Sequence, residues 1–358
     1  MSILPSTRGR ILFGIGIVYF LAQYIYVSYY NDPRRYDNLV STSMQEDVSS
    51  TNSAPIAHLN VSGVQTMMVN NNNNDIQNKQ MQDKRLLALC PQTPPGLNGT
   101  NPLRIPDQET LEDVAHRLHW LRLLDGGHQA PKDCQARYKI AIIVPYRNRL
   151  SNLCTFLLNM HPFLTKQQLD YTIFVVEQFN DGLFNRAMLM NVGFNEALKL
   201  RKFDCFFFHD VDLIPENYEN MYSCPDQPRH MSVAIDKFNY RLPYVDLFGG
   251  VIGMSRAHFQ LVNGFSNMFW GWGGEDDDMA SRVKAHDLNI TRYRPNVARY
   301  HMLTHVKQKA NPKRYEKLFS GRKRFKTDGL NNLEYRVKSL KRLPLFTYLL
   351  VDLTGRQS

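Results

Sequence analysis

The sequence predicts an α/β fold on a parallel sheet, because short β-branched runs alternate with segments of helical apolar spacing between residues 138 and 208. The runs are nearly continuous in apolar residues, as strands covered on both faces are. The composition agrees: 358 residues, 43% hydrophobic and 21% charged, an ordinary globular mix.

Tyr138–Val144 (YKIAIIV) is the first expected strand. Ser151–Met160 reads as a helix and Tyr171–Val176 as the second strand. Phe184–Leu200 is helical by the spacing of Ala187, Met190, Phe194, Ala197 and Leu198, and Phe203–Phe208 is the third strand. This order implies right-handed crossovers. Ligands in such folds bind beyond the C-terminal strand ends, which points to Pro145, Tyr146, Arg147, Asn148 and Arg149, and to His209–Asp212. No internal repeat, G-x-G-x-x-G or Walker loop is present, so dinucleotide and P-loop readings lack their key signal.

Ahead of this domain, Ile11–Tyr30 is an uncharged apolar run of the ~20 residues a membrane helix needs. Arg8 and Arg10 precede it, but Arg34 and Arg35 follow it and weaken the charge asymmetry. The expected organisation is a cytosolic tail (1–10), a transmembrane signal anchor (11–30), a stem (31–88) and a lumenal domain (89–358). A cleaved signal peptide is the alternative. Either delivers the chain to an oxidising lumen. The stem is rich in Ser, Thr and Asn, with the run Asn70–Asn74, and offers too little apolar surface to offset its ordering entropy. Sequons begin at Asn60, Asn98 and Asn289.

A net charge of +10 suits nucleic acid, an anionic membrane or a phosphorylated ligand and does not choose among them. With the anchor in place, the basic run Arg322–Lys326 is a poor nuclear signal, and no nucleic-acid partner is expected. The five cysteines contain no C-x-x-C pair, which argues against a zinc ribbon and leaves core thiols or disulfides open.

Three segments carry chemistry. Asp210-Val-Asp212 follows the third strand directly, placing two carboxylates at its C-terminal end. They suit a divalent cation bridging to a diphosphate, or a solvated turn before Pro215. Phe269–Asp278 (FWGWGGEDDD) combines three glycines, two flat rings (Trp270, Trp272) and four acidic residues. Met279–His286 reads as a helix, so Glu275–Asp278 occupy its first turn, where the macrodipole favours carboxylates. Four acids exceed what a cap needs and suggest a polar ligand or a base. The same dipole lowers the pKa of such a base, a tension the sequence leaves open. Met302-Leu-Thr-His305 is the third segment; on composition alone a lone His is a satisfied structural residue.

Together, Phe184-Asn-Arg-Ala187 with Asn191-Val-Gly193, Asp210–Pro215 (DVDLIP), Phe248-Gly-Gly250 and Gly271–Asp278 (GWGGEDDD) resemble the beta-1,4-galactosyltransferase family, from about Cys90 to near the C-terminus. The family includes invertebrate beta-1,4-N-acetylgalactosaminyltransferases. The resemblance implies a GT-A fold, with a Rossmann-like nucleotide half and a mixed sheet, and an inverting, manganese-dependent mechanism. It implies that Pro145–Arg149, Phe184, Asn185 and Arg186 hold uridine and diphosphate, that Val211 contacts the nucleotide, and that Trp272 covers the donor sugar on a mobile loop. Asp212, Met302 and His305 become the Mn2+ ligands. Gly274, Glu275, Asp276 and Asp277 hold the acceptor, with Asp276 as general base and Glu275 beside it. Arg314 and Tyr315 close over the acceptor's N-acetyl group, although the spacing from His305 to Asn311 is shorter than in vertebrate members. The family pattern pairs Cys205 with Cys224 and Cys90 with Cys134, leaving Cys154 free. Partners implied are a UDP-sugar donor and a GlcNAc-terminated glycan. The location implied is the Golgi membrane, single-pass type II.

Donor choice rests on Leu247, where vertebrate galactosyltransferases carry Tyr just before Phe-Gly-Gly. A smaller apolar residue leaves room for an acetamido group, so UDP-N-acetylgalactosamine is the first expectation and UDP-galactose the alternative. Leu247 also reads simply as a core-facing strand residue.

Overall fold

The computed structural model describes residues 87–106, 109–306, 308 and 310–353. The expected tail, anchor and all but the last two stem residues lie outside them. No helix among the described residues is long and apolar enough to cross a membrane.

The chain enters through α1 (Leu111–Arg117), capped by a reciprocal Thr110–Asp113 box, and the short β1 (His128–Gln129). The α/β core follows: β2 (Lys139–Tyr146), α2 (Leu150–Lys166), β3 (Asp170–Gln178), α3 (Arg186–Leu200) and β4 (Cys205–His209). Then come β5 (Leu213–Pro215), β6 (Arg229–His230), β7 (Ala234–Ile235), β8 (Val251–Ser255) and α4 (Arg256–Leu261). The chain continues with α5 (Glu275–Ala285), β9 (Thr291–Arg292), β10 (Arg299–Met302), α6 (Arg314–Phe319), β11 (Tyr335–Arg342) and β12 (Thr347–Leu353).

The expected alternation is present, with shifted ends. The first helix continues past Met160 to Lys166, because Phe163 and Leu164 still face the core. The second begins at Arg186, not Phe184, because the Asn185 side chain accepts from the Met188 N–H and caps it. In β2, Ile140, Ile142 and Val144 pack into one apolar cluster with α2, while Ala141 and Ile143 pack into another with α3. Both faces are covered, which is why the run shows no polar alternation. Each Ile or Val side chain here contributes about 1.5–3 kcal/mol on full burial.

The sheet is parallel at its centre, over β12, β3, β2 and β4, and again in the short β6–β9 pair at one edge. β8 returns antiparallel to β4, and β11 runs antiparallel to β12. The mixed sheet arises because the chain leaves β4 without a helical crossover and comes back through β5–β7. That excursion builds a separate three-stranded sheet, β5-β10-β7, in which Met302 lies opposite Leu213.

Disulfides join Cys90 to Cys134 and Cys205 to Cys224, and Cys154 is free and buried on α2. Closing the loop across the 19-residue separation of Cys205 and Cys224 restricts the unfolded chain by roughly 3 kcal/mol.

Candidate active site

Two groups of charged side chains meet beyond the C-terminal ends of β2 and β4. On the first side, Tyr146 is buried, and its hydroxyl accepts from the Arg149 N–H at 3.1 Å. Asn148 is exposed and adopts a left-handed φ of 50°. Arg147 donates to the carbonyls of Asn180 (3.1 Å) and Gly182 (2.7 Å) and lies over the Phe184 ring. It therefore shapes the 180–184 loop. Asn185 is fully buried, and its side chain caps α3 and donates its amide to the Asn267 carbonyl.

The two carboxylates after β4 have different partners. Asp210 receives Arg186 Nε at 2.6 Å. Asp212, buried like its neighbour Val211, faces His305 Nδ1 at 2.7 Å and Arg149 Nη1 at 3.4 Å. Burial pushes the Asp212 carboxyl up, but the His305 hydrogen bond and the nearby positive charges more than reverse this and leave it below its ordinary value. Asp210 ends above its ordinary value, because burial and the Asp212 charge outweigh Arg186.

On the second side, Gly274 caps α5 with φ +94°, a left-handed conformation that favours glycine. Glu275, Asp276 and Asp277 follow. A Cβ on Gly249 would lie 2.5 Å from Asp276 Oδ2, so the Phe-Gly-Gly turn must be bare there for Asp276 to occupy its place. Asp277 accepts from the Tyr244 hydroxyl at 2.7 Å. One oxygen of Glu275, Oε2, is buried with no hydrogen-bond partner, as an acceptor for an incoming hydroxyl should be. The fourth acid differs: Asp278 pairs with the fully buried Arg282 at 2.6 Å and is structural.

The dipole tension resolves in favour of burial. Burial and the neighbouring Asp276 charge push Glu275 up to about 7 despite Arg186. Burial and Asp276 push Asp277 up to about 8. Burial also raises Asp276, against the Arg186 charge and backbone N–H donors.

Arg186 joins the two sides, reaching Glu275 Oε1 at 3.4 Å as well as Asp210. The glycine-rich loop is pinned from both directions. Gly271 N–H donates to the Phe184 carbonyl, and Asn311 N–H donates to the Trp272 carbonyl. Arg314, buried beside Gly273, lies over the Trp272 and Tyr315 rings. Trp272 is half-buried at the site, whereas Trp270, expected as a second sugar platform, is 3% exposed and belongs to the core. Leu247 is half-buried in a loop rather than a strand, its carbonyl held by Arg292. That removes its reading as a core strand residue.

Among the described residues no three His, Cys, Asp or Glu side chains converge as a metal cluster. The Asp212–His305 pair does converge, and the β5–β10 pairing brings Met302 alongside, with Leu303 N–H donating to the Asp212 carbonyl. A carboxylate, an imidazole and a thioether fit a borderline divalent cation better than magnesium. The pattern of motifs missed Tyr244, Arg292 and the buried Tyr222 and Tyr300, since isolated polar residues outside the motifs carry no spacing signal.

The mixed sheet, the carboxylates beyond β4 and the acidic helix start opposite them define a GT-A-like glycosyltransferase. Residues 90–225 match the N-terminal region of glycosyl transferase group 7, and residues 229–306 match the N-terminal domain of galactosyltransferase. Beta-1,4-galactosyltransferase 4 of Cricetulus griseus is 44% identical over 273 residues, covering 75% of this chain and 78% of that protein. Beta-1,4-galactosyltransferase 1 of Homo sapiens is 45% identical over 270 residues, covering 75% and 67%. The chain belongs to the beta-1,4-galactosyltransferase family. Among solved structures, the catalytic domain of Drosophila beta-1,4-galactosyltransferase 7 with xylobiose aligns with a TM-score of 0.53 and 31% identity, over 61% of this chain and 95% of that one. A mutant of that enzyme, in complex with manganese, UDP-Gal and xylobiose, aligns equally well at 30% identity.

Proposed function

We propose that the protein transfers galactose from UDP-galactose, with inversion, to the O4 hydroxyl of a terminal N-acetylglucosamine. The observation that carries this reading is Arg186, which ties the carboxylate of Asp210 to Glu275 and so sets a donor side against an acceptor side. Relatives named as galactosyltransferases support galactose over the N-acetylgalactosamine that Leu247 first suggested.

In this reading Phe184 and the Pro145–Arg149 segment cradle the nucleotide, and Trp272 covers the donor sugar. Glu275, Asp277 and Gly274 orient the acceptor, with Arg314 and Tyr315 closing over its N-acetyl group. Asp276 takes the O4 proton as that oxygen attacks the anomeric carbon in line. A base whose pKa burial has raised above the ordinary carboxylate value is better matched to this task, and such help is typically worth ~10²–10⁴-fold. Asp212, Met302 and His305 would hold manganese, which offsets charge on the departing UDP. The Trp272 loop excludes water that would otherwise hydrolyse the donor.

A second reading, transfer of N-acetylgalactosamine, keeps one specific support: Leu247 carries no hydroxyl to crowd a C2 acetamido group. We further propose a Golgi membrane protein, anchored by residues 11–30, with its catalytic domain in the lumen. UDP release with and without manganese, measured for each UDP-sugar on a GlcNAc acceptor, tests the reaction. No manganese-dependent release with either donor would contradict it.

A further inference from the structure

Below the Asp210–Asp212 turn lies a buried polar chain that the catalytic scheme does not use. His209 Nδ1 faces the Asp210 carbonyl at 2.8 Å, and its Nε2 faces the Tyr222 hydroxyl at 2.8 Å. The Tyr222 hydroxyl in turn meets the Tyr300 hydroxyl at 2.8 Å. All three residues are fully buried. A carbonyl only accepts, so Nδ1 carries the proton and Nε2 is the acceptor. Tyr222 must then donate to Nε2, and Tyr300 must donate to Tyr222. The chain of donors runs one way, from Tyr300 to the Asp210 carbonyl.

Its ends belong to different sheets. His209 ends β4 of the large sheet, and Tyr300 lies in β10 of the small one. Asp212 sits on the three-residue link from β4 to β5, while Met302 ends β10 and His305 follows it. The C-terminal end of that link is already tied to β10, through the Leu213–Met302 pairing and the Leu303 N–H on the Asp212 carbonyl. The His209 chain ties its other end, at Asp210, to the same strand, so the conformation of the turn that presents Asp212 to Met302 and His305 depends on both attachments. Tyr222 is itself held in place, wedged between the Phe163 and Phe207 rings, with its N–H on the Gln167 side chain and the Cys205–Cys224 disulfide two residues on.

We infer that Tyr222 and Tyr300, acting through His209, are positioning residues that lock the two sheets together and so pre-set the divalent-cation ligands. This rests on the reading of Asp212, Met302 and His305 as ligands. Partners bonded directly to metal ligands typically govern metal affinity by roughly 10–100-fold; this chain acts one step further out, through the Asp210 carbonyl, so about 10-fold is the upper expectation.

The test is a manganese titration of the purified full chain in the presence of UDP, following free Mn2+ by electron paramagnetic resonance, with Tm measured in parallel. Tyr222→Phe cuts two links and should raise the manganese Kd several-fold, up to roughly 10-fold. Tyr300→Phe cuts one link and should raise it less, and it decides the matter if Tyr222→Phe does not fold. Tyr171→Phe is the control, since it removes an equally buried hydroxyl, bonded to His161 at 2.9 Å, away from this turn. It should lower Tm and leave the Kd unchanged. Kd values for Tyr222→Phe and Tyr300→Phe within twofold of wild type, with only Tm reduced, would overturn the inference. A wild-type chain that binds no manganese would instead overturn the ligand reading, and the inference with it.

Discussion

Asp212, after β4, and the three acids at the start of α5 are all largely buried, yet their carboxyls shift in opposite directions. Around Asp212 the carboxylate is matched by His305 and Arg149 and stays below its ordinary pKa. At the start of α5, Glu275, Asp276 and Asp277 crowd one another, with Arg186 reaching only Glu275 among them, and all three are raised. The difference teaches that local sequence does not set the protonation of an acidic motif. A helix dipole favours ionised carboxylates, yet burial and mutual repulsion win here. In the proposed reaction, Asp212 is suited to stay charged beside a cation and the α5 acids to accept a proton.

Substitutions can break this contrast. The largest stability effect belongs to the fourth acid's partner. Arg282→Met leaves Asp278 buried without its partner and should cost about 3–5 kcal/mol by denaturant unfolding. Asp276→Asn should lower kcat by at least ~10²-fold with Tm preserved, because it removes the base and keeps the shape. On the donor side, Asp212→Asn should nearly abolish turnover, and His305→Ala should sharply raise the manganese concentration needed for half-maximal rate. Full activity of either variant at micromolar manganese would count against the assigned ligands.

Leu247→Tyr should shift the ratio of kcat/KM for the two UDP-sugars towards galactose by about 1–3 kcal/mol. An unchanged ratio would remove Leu247 as the donor determinant.

The smallest effect concerns pH. Asp277 and Glu275, raised to about 8 and about 7, stay protonated in the folded chain after the unfolded chain has lost those protons. Stability from these groups therefore falls as pH rises above the ordinary carboxylate range. Below pH ~6.5 the buried His161, His209 and His230, all pushed down by burial, act in the opposite direction, because the unfolded chain then binds the protons. Between pH 6.5 and 8 the histidine contribution fades and the carboxylates come to dominate. Tm should fall there by roughly 2–4 °C, and less in Asp277→Asn.

The strand–helix alternation was legible because β2, β3 and β4 are covered on both faces and are dominated by apolar residues, with polar ones such as Glu177, Gln178 and His209 only at the ends of β3 and β4 and Thr172 β-branched within β3. The antiparallel β8 and the small sheet were not, since β5, β7 and β10 are two to four residues long and take their place from pairing across 60 to 90 residues of chain. The site was legible as motifs: Asp212, Glu275–Asp277 and Trp272 lie where a strand end and a glycine-rich helix start must put them. What each motif residue does was less so. Asn185 turned out to be a cap, Trp270 a core ring and Asp278 half of a buried ion pair, because those roles depend on Met188, the surrounding core and Arg282.

The most direct test of the proposed reaction is the proton NMR spectrum of the product formed from UDP-galactose and N-acetylglucosamine with manganese. A single β-linked galactose on O4 is the predicted product, absent with Asp276→Asn. An α-linked product, linkage to another hydroxyl, or full product from the Asp276→Asn variant would contradict the account.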